Sequence, residues 1–164
     1  MGSEKKIIIF GNSGSGKSTL AKKLVNQYGL AHLDLDVLAW QEEVIPPARK
    51  PIQASEESIN AFLSTHPQWV IEGGYSDLLG LLLKSINKMV FLNPGVDQCI
   101  ENCSQRPWEP HKYASLEAQN ANLPMLLDWV REYPNREDEF SLSSHQKLFA
   151  EFTGEKIEYH SNDR

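Results

Sequence analysis

The segment "KIIIFGNSGSGKST", residues 6–19, joins a short apolar run to a glycine-rich turn that leads to a lysine. Residues 7–10 are all apolar, which is typical of a strand that is buried on both faces of a parallel sheet. Residues 17–28 have the apolar spacing of an amphipathic helix, with one side formed by Leu20, Leu24, Val25 and Tyr28. The segment therefore predicts a strand over 6–10, then a loop, then a helix over 17–28.

The loop between these two elements fits the spacing G-x-x-x-x-G-K-[ST], from Gly11 to Ser18. Glycines let successive backbone N–H groups turn toward one point, and the N-terminus of the following helix adds a partial positive charge. We expect Lys17 to neutralise the β- and γ-phosphates of a nucleotide and the Ser18 hydroxyl to ligate Mg²⁺. The residues expected to bind the nucleotide are Gly11, Asn12, Ser13, Gly14, Ser15, Gly16, Lys17, Ser18 and Thr19.

Predicted strands and helices alternate along the rest of the 164 residues. A second strand ends near Asp34, and later strands are predicted over 69–74, 88–93 and 155–160. The predicted later helices cover 55–64, capped by Ser55, and 76–84, 95–104, 115–132 and 141–152. Strands that are separated by helices pair in parallel through right-handed crossovers. We expect one three-layer α/β/α domain with a five-stranded parallel sheet and with ligands at the carboxyl ends of its strands.

The composition argues against several classes of protein. A chain of 164 residues with 40% hydrophobic residues is long enough for one domain with one core. Its net charge of −6 and its few arginines, five in all, argue against a surface that binds nucleic acid. We see neither a signal peptide nor a membrane span, so we expect a cytoplasmic protein without a membrane partner. Cys99 and Cys103 lack a second ligand pair, and we expect them to pack in the core.

Two large classes of nucleotide-binding protein do not fit the remaining motifs. A GTPase carries N-K-x-D after a later strand, whereas Asn87-Lys88 precedes its strand and Val90 stands in place of the aspartate. Motor and AAA-type ATPases follow an apolar strand with an Asp-Glu pair. Here the acidic residues that follow strands are Asp34, Asp36 and Glu72. Since the guanine motif is missing, we expect ATP as the nucleotide.

Three motifs resemble those of the small P-loop kinases of the shikimate, gluconate and adenylate kinase type. "HLDLDVL", residues 32–38, resembles the Asp-x-Asp element of shikimate kinases, and "VIEGGY", residues 70–75, resembles their Gly-Gly strand end. "VFLNPGVDQCIENCSQRPW", residues 90–108, is similar to their strand, helix and the Arg-Pro that opens the lid. The resemblance covers nearly the whole chain, and it is closest to the kinase-like subgroup labelled as DNA topology modulation proteins.

The resemblance implies roles for the acidic residues at the strand ends. Asp34 would hold Mg²⁺ through water, and Asp36, on the same side of an extended chain, would orient or deprotonate the acceptor hydroxyl. Glu72, Gly73 and Gly74 would contact the acceptor or the water on the metal, because glycines allow a backbone to approach a ligand. A solvated strand end is the alternative for the two aspartates, and a surface or salt-bridged role is the alternative for Glu72.

The resemblance also divides the chain into parts. These are a core over 5–36, 67–105 and 141–160, an acceptor-binding insertion over about 37–66, and a lid over about 106–116. Arg106 opens the lid and Arg131 follows it, where related kinases direct arginines onto the phosphates. Lys112 and His111 are further candidate phosphate contacts in the lid. Surface ion pairing is the alternative for the two arginines.

The acceptor is the least specified part of the prediction. Arg49, the single arginine between residues 37 and 105, is the expected cationic contact, beside a wall of Trp40 and Tyr75 that could equally be core. The several arginines that bind shikimate, and the long arginine-bearing segment of adenylate kinases, have no counterpart here. A neutral polyol, a nucleoside or another small metabolite is therefore as plausible an acceptor as shikimate or AMP. We interpret His32 and His145 as structural.

These features together indicate an ATP- and Mg²⁺-dependent phosphotransferase that moves the γ-phosphate to a hydroxyl or phosphate of a small molecule. Two alternatives remain open at this point. One is a regulatory module that binds a nucleotide and signals its state to a protein partner, although the sequence indicates no particular partner. The other is a slow nucleotide hydrolase in which water replaces the acceptor.

Overall fold

The computed structural model describes residues 4–41, 48–110 and 112–162. Its strands are β1 (Lys6–Gly11), β2 (Ala31–Asp34), β3 (Trp40–Gln41), β4 (Ala48–Arg49), β5 (Trp69–Glu72), β6 (Lys88–Leu92) and β7 (Glu155–Tyr159). Its α-helices are α1 (Lys17–Tyr28), α2 (Ile52–Thr65), α3 (Ser76–Leu79), α4 (Val96–Ser104), α5 (Leu116–Arg131) and α6 (Leu142–Glu151). Short 3₁₀ helices follow β2 and α3, over Leu35–Val37 and Gly80–Leu82.

Five of the strands form one parallel sheet in the order β2-β5-β1-β6-β7. This arrangement confirms the predicted α/β class with a five-stranded parallel sheet. The short strands β3 and β4 pair separately as an antiparallel ribbon inside the expected insertion. Because β5 lies between β1 and β2, Glu72 is in register with both Ile9 and Asp34. The P-loop and the acidic residues after β2 are therefore brought to the same edge of the sheet.

Alternate side chains of β1 point into two cores, one on each face of the sheet. Ile8 and Phe10 pack in the larger core with α2, α3 and α6. Ile7 and Ile9 pack in the smaller core with Leu20 of α1. Both faces of β1 are thus covered by helices, which is why its sequence is continuously apolar.

The cysteines of α4 pack beneath the P-loop and not around a metal. Cys99 is 1% exposed and Cys103 is 4% exposed, and both pack with Val130 of α5. Burial raises the pKa of the Cys99 thiol to about 11, so the thiol stays protonated and unreactive at neutral pH. The prediction that these cysteines belong to the core is confirmed.

Some predicted boundaries were wrong. The second helix begins at Ile52 after Pro51, not at Ser55. Ser55 lies inside this helix, where its buried hydroxyl donates to the Leu38 carbonyl at 3.3 Å instead of capping. The strand predicted over 69–74 ends at Glu72. Within residues 4–41, 48–110 and 112–162, no helix has both the length and the apolar character needed to cross a membrane.

Candidate active site

The P-loop takes a conformation that only glycine accepts easily at three positions. Gly11, Gly14 and Gly16 have φ angles of 155°, 79° and 100°. A Cβ atom on Gly14 would lie 2.5 Å from the Cys99 carbonyl oxygen and 2.6 Å from the Cys103 sulfur. Helix α4 therefore approaches the loop so closely that no side chain fits between them. Gly14 is required for packing as much as for the shape of the loop.

Two asparagines also hold the loop in place. The Asn12 side chain donates to the Val130 carbonyl at 3.3 Å and accepts from the Ser13 backbone N–H at 2.8 Å. The Asn102 side chain of α4 donates to the Gly14 carbonyl at 2.8 Å. These contacts fix the shape of the loop from outside. Within the loop, the Ser15 backbone N–H donates to the Asn12 carbonyl at 3.1 Å, so the amides of Ser13 and Ser15 both have partners inside the loop.

The Lys17 side chain folds back onto the P-loop. Its Nζ donates to the Asn12 carbonyl at 2.8 Å and to the Gly11 carbonyl at 3.3 Å. Burial lowers the pKa of Lys17, and the charges of Arg106 and Lys112 lower it further, whereas Glu72 and Asp36 oppose this effect. The charges of residues from the strand ends and from the 106–116 segment therefore act on the P-loop lysine.

Glu72 connects the P-loop to the neighbouring strand. Its side chain is buried, and its Oε1 accepts a hydrogen bond from the Ser18 hydroxyl at 3.1 Å. Its Oε2 lies 2.8 Å from His32 Nε2. His32 was read as structural from the sequence, yet it lies at the site, where it orients Glu72. Its position two residues before Asp34 on β2 was the available signal.

The oxygen atoms at this edge suit Mg²⁺. The Ser18 hydroxyl and the carboxylates of Asp34 and Glu72 are hard ligands of the kind that the ion prefers. Burial raises the pKa of Asp34, and the nearby charges of Asp36 and Glu72 raise it further. Three carboxylates at one place would be relieved by a cation. Within the described residues no cluster of three or more His, Cys, Asp or Glu side chains forms a metal cage. The Mg²⁺ site predicted at Ser18 and Asp34 therefore stays a prediction.

Asp36 is held from both sides by hydrogen bonds. Its Oδ1 accepts from the Tyr75 hydroxyl, and its Oδ2 lies 2.9 Å from the Lys112 Nζ. Its backbone N–H donates to Asp34 Oδ1 at 2.9 Å, which caps the short helix after β2. Burial alone would raise the pKa of Asp36, but the Lys112 ammonium and the Tyr75 hydroxyl outweigh it and hold the pKa below its usual value. Asp36 is therefore an ionised carboxylate with a fixed direction.

Tyr75, Trp40 and Arg49 form one aromatic and cationic cluster beside Asp36. The Trp40 indole N–H donates to the Tyr75 oxygen at 2.7 Å. The Arg49 guanidinium lies 4.7 Å from the centroid of the Tyr75 ring. Arg49 was expected to be a free cationic contact for the acceptor. Its Nη1 instead lies 2.6 Å from Glu139 Oε2, and its Nη2 lies 3.1 Å from Asp77 Oδ2.

Gly73 lies in tight packing at the end of β5. A Cβ atom on Gly73 would lie 3.0 Å from the Leu35 Cβ and 3.1 Å from the Tyr75 ring. A Cβ on Gly74 would lie at an ordinary contact distance, 3.4 Å, from the Gly11 carbonyl oxygen of the P-loop. The Gly74 carbonyl accepts from His145 Nε2 at 2.8 Å. Gly73 therefore lets the chain turn past Leu35 and Tyr75, and the predicted contact of both glycines with a ligand stays a prediction.

The described part of the lid presents two cations to the site. Arg106 Nη1 lies 3.1 Å from Glu109 Oε1, and Lys112 Nζ lies 3.4 Å from Glu109 Oε2. Lys112 also reaches Asp36, so the lid touches the acceptor side. His111, the other lid residue that the sequence suggested, lies outside the described residues, as do residues 42–47 of the insertion.

Two further arginines lie at and after the end of α5. The Arg131 guanidinium, which is half-exposed, lies 2.8 Å from Asp128 Oδ1. Arg136 stacks on Trp129, with 4.0 Å between its guanidinium carbon and the ring centroid, and donates to the carbonyls of Trp129 and Phe140. Arg136 therefore holds the turn between α5 and α6. The phosphate contact that the resemblance implied for Arg131 stays a prediction.

Solved structures share this fold over almost the whole chain, although no family model and no curated protein matches the sequence. A gluconokinase from Sinorhizobium meliloti 1021 has a TM-score of 0.56 at 17% identity, over 98% of this chain and 84% of that one. An unliganded sugar kinase from Janibacter sp. HTCC2649 has a TM-score of 0.53 at 14% identity, over 94% and 85%.

A shikimate kinase from Bacteroides thetaiotaomicron is more distant, with a TM-score of 0.47 at 17% identity, over 89% and 97% of the two chains. This last likeness is too loose to support any conclusion. At identities this low the first two comparisons establish the fold and nothing finer. The chain has the fold of the small-molecule P-loop kinases.

Proposed function

We propose that the protein is a phosphotransferase that uses ATP and Mg²⁺ and moves the γ-phosphate to a hydroxyl group of a small molecule. The supporting observation is the 3.1 Å hydrogen bond from Ser18 to Glu72. It joins the P-loop to the strand end beside Asp34, and thereby to Asp36 two residues further on. A phosphate-binding loop and a carboxylate that faces an acceptor must lie this close for direct transfer.

The donor side of the proposed site consists of the P-loop and two cations. The amides of residues 11–19 would bind the β- and γ-phosphates, and Lys17 would neutralise the charge that develops between them. Arg106 would leave Glu109 for a phosphate oxygen, since a guanidinium binds such oxygens in pairs. Ser18 and Asp34 would hold Mg²⁺, with Glu72 as a neighbouring acceptor of hydrogen bonds. The ion would supply charge neutralisation between the β- and γ-phosphates.

The acceptor side of the proposed site is centred on Asp36. The acceptor hydroxyl would donate its hydrogen bond to Asp36, which would take the proton as the new oxygen–phosphorus bond forms. The bond between the γ-phosphorus and the bridging oxygen breaks, and ADP leaves with the electron pair. Tyr75 keeps the Asp36 carboxylate in one orientation. This assignment explains why Asp36 is a fixed and ionised carboxylate, which phosphate binding alone does not need.

The two alternative functions are less well supported by the same contacts. A regulatory nucleotide-binding module needs the P-loop and a metal ligand, but it has no need for Asp36 to be oriented by Tyr75 and Lys112. A hydrolase needs a carboxylate that orients water, and this water would compete with the Lys112 ammonium for Asp36. An acceptor has further groups whose binding can offset the loss of the Lys112 contact, whereas water has none. We therefore prefer transfer to an acceptor that displaces Lys112.

The proposal can be tested by screening hydroxylated metabolites and nucleosides for acceptor-dependent ADP release. We expect one class of acceptor to raise the rate clearly above the rate with water, and phosphorylated acceptor to appear in equal amount to ADP. Lys17→Ala and Asp36→Ala serve as controls that should abolish this increase. If ATP binds but no acceptor accelerates ADP release, the regulatory module or the hydrolase is the better assignment.

A further inference from the structure

We infer that the acceptor is an uncharged polyhydroxyl compound, and that Arg49 sets this preference because Asp77 and Glu139 already neutralise its charge. The inference rests on the proposed function, since it concerns the molecule that binds beside Asp36. It differs from the expectation for a sugar-acid kinase, in which a cation must be free to bind the carboxylate of the acceptor. Arg49 thus determines specificity because its ion pairs prevent it from binding the carboxylate of an acidic acceptor.

The contacts of Arg49 use its guanidinium on two sides. Its Nη1 donates to Glu139 Oε2 at 2.6 Å, which is a short and charge-assisted hydrogen bond. Its Nη2 donates to both carboxylate oxygens of Asp77, at 3.1 and 3.3 Å. One positive charge therefore faces two negative charges. A carboxylate on the acceptor would have to compete with both of them.

Arg49 nevertheless lies where an acceptor would be. Its guanidinium stacks on the Tyr75 ring at 4.7 Å, and the hydroxyl at the far end of that ring is bonded to Asp36. A single tyrosine side chain thus lies between the Arg49 guanidinium and the Asp36 carboxylate. A molecule of the size of a sugar that places one hydroxyl on Asp36 would reach Arg49 with its other end.

The other charges near Asp36 also favour a neutral acceptor. Asp34, Asp36 and Glu72 stand together at the strand ends. On the lid, Lys112 is paired with Asp36 and Glu109, and Arg106 is paired with Glu109.

In the described part of the chain, each of the cations Arg49, Arg106 and Lys112 thus already has a carboxylate partner. An anionic acceptor that reached Arg49 would lose its hydration and would have to compete with Asp77 and Glu139 for that cation. A hydroxyl group, by contrast, can donate directly to a carboxylate. The charges at the site therefore select for hydroxyl groups and against acids.

D-gluconate and D-glucitol are matched probes for an acidic and a neutral acceptor. They differ at one end, where gluconate has a carboxylate and glucitol has a hydroxymethyl group. The informative variant is Asp77→Asn with Glu139→Gln. Each amide keeps an oxygen that can accept from Arg49, while the two negative charges are removed. Binding of each probe is measured by titration calorimetry in the presence of magnesium and a non-hydrolysable ATP analogue.

We expect the double variant to bind gluconate with a Kd at least about tenfold below that of the wild type. Its affinity for glucitol should not change. Adding Arg49→Gln to the double variant should remove the gain. A control with the same change in net charge, Glu151→Gln with Glu155→Gln on the exposed surface, should show no gain. Each single variant is tested in the same way, so the result does not depend on the folding of the double variant.

Two results would overturn the inference. One is gluconate binding by the wild type that is lost in Arg49→Gln. The other is a folded Asp77→Asn and Glu139→Gln variant that binds gluconate no better than the wild type. Failure of the proposed function has a different signature, which is a wild-type protein that does not bind the nucleotide analogue or that releases no ADP in response to any acceptor.

Discussion

Lys112 Nζ lies 2.9 Å from Asp36 Oδ2. A cation of the lid is therefore paired with the carboxylate that we propose as the binding partner of the acceptor hydroxyl. The contact raises the pKa of Lys112, despite its partial burial, and helps to lower the pKa of Asp36. Each partner thereby keeps the other charged. Any molecule that makes a hydrogen bond on this side of Asp36, water included, competes with the Lys112 ammonium.

Replacement of Lys112 should therefore increase wasteful ATP hydrolysis. In Lys112→Met we expect phosphate release from ATP without any acceptor to rise several-fold, because one oxygen of Asp36 becomes free to bind water. The rate is measured by phosphate release under saturating ATP. Lys147→Met, at an exposed lysine of α6, is the matched control and should leave the rate unchanged. A lower rate in Lys112→Met would mean that Lys112 serves the phosphates instead.

Lys17 and Asp36 should affect different steps. Lys17→Ala should weaken ATP binding by at least about tenfold and nearly abolish transfer, because the charge on the phosphates is no longer neutralised. Asp36→Ala should leave ATP affinity intact and lower acceptor-dependent transfer by about 10² to 10⁴-fold. Nucleotide titrations and kcat measurements give the two quantities separately. An equal loss of ATP affinity in both variants would refute this division.

Gly14 should be one of the least replaceable residues of the fold. Gly14→Ala places a Cβ atom 2.5 Å from the Cys99 carbonyl oxygen at a φ of 79°. We expect the free energy of unfolding to fall by about 2 kcal/mol or more, together with loss of nucleotide binding. Urea denaturation measures the first effect. Gly80→Ala is the control, because Gly80 has helical φ and ψ and nothing within 4 Å of its Cβ position, and it should be neutral or slightly stabilising.

His145 should make the protein sensitive to mild acid. Its Nε2 donates to the Gly74 carbonyl at 2.8 Å, so its Nδ1 can accept from the Tyr133 hydroxyl at 2.7 Å only in the neutral ring. The pKa of His145 is lowered from 6.5 to about 4, chiefly by burial and also by the charges of Lys17 and Arg136, against the opposing effects of the Gly74 hydrogen bond and Asp138.

The sign of this effect follows from the lowered pKa. Between pH 6.5 and 4 the unfolded chain binds a proton at His145 that the folded chain does not bind, so stability falls as the pH falls. Between pH 7 and pH 5 this amounts to about 2 kcal/mol. Urea denaturation of the wild type and of His145→Gln at both pH values measures the contribution. Equal losses in the two proteins would exclude His145 as the source.

Much of the fold could be predicted because its signals are local. The apolar run 7–10, the glycines of the P-loop and the helix 17–28 lie next to one another in the chain. Each of these signals can be interpreted from the adjacent residues alone. The start of α2 was missed because the partner of Ser55 is the Leu38 carbonyl, which lies 17 residues earlier in the sequence. A serine with such a distant partner looks the same in the sequence as a helix cap.

The site was predicted less completely, because its contacts join distant segments. Ser18, Asp34 and Asp36 could be proposed from short motifs. The pairing of His32 with Glu72 spans 40 residues, and that of Arg49 with Glu139 spans 90. Neither has a motif of its own. The sequence also does not reveal that Gly73 packs tightly against Leu35, which lies 38 residues earlier in the chain.

The ion pairs of Arg49 affect how a small molecule can approach Asp36. They link Arg49 of β4 to α3 and to the segment before α6, and breaking them would leave partly buried charges without partners. Lys112, which contacts Asp36, lies in a segment whose described residues between 106 and 115 form neither helix nor strand. A molecule that binds at Asp36 should therefore displace Lys112 before it disturbs the ion pairs of Arg49.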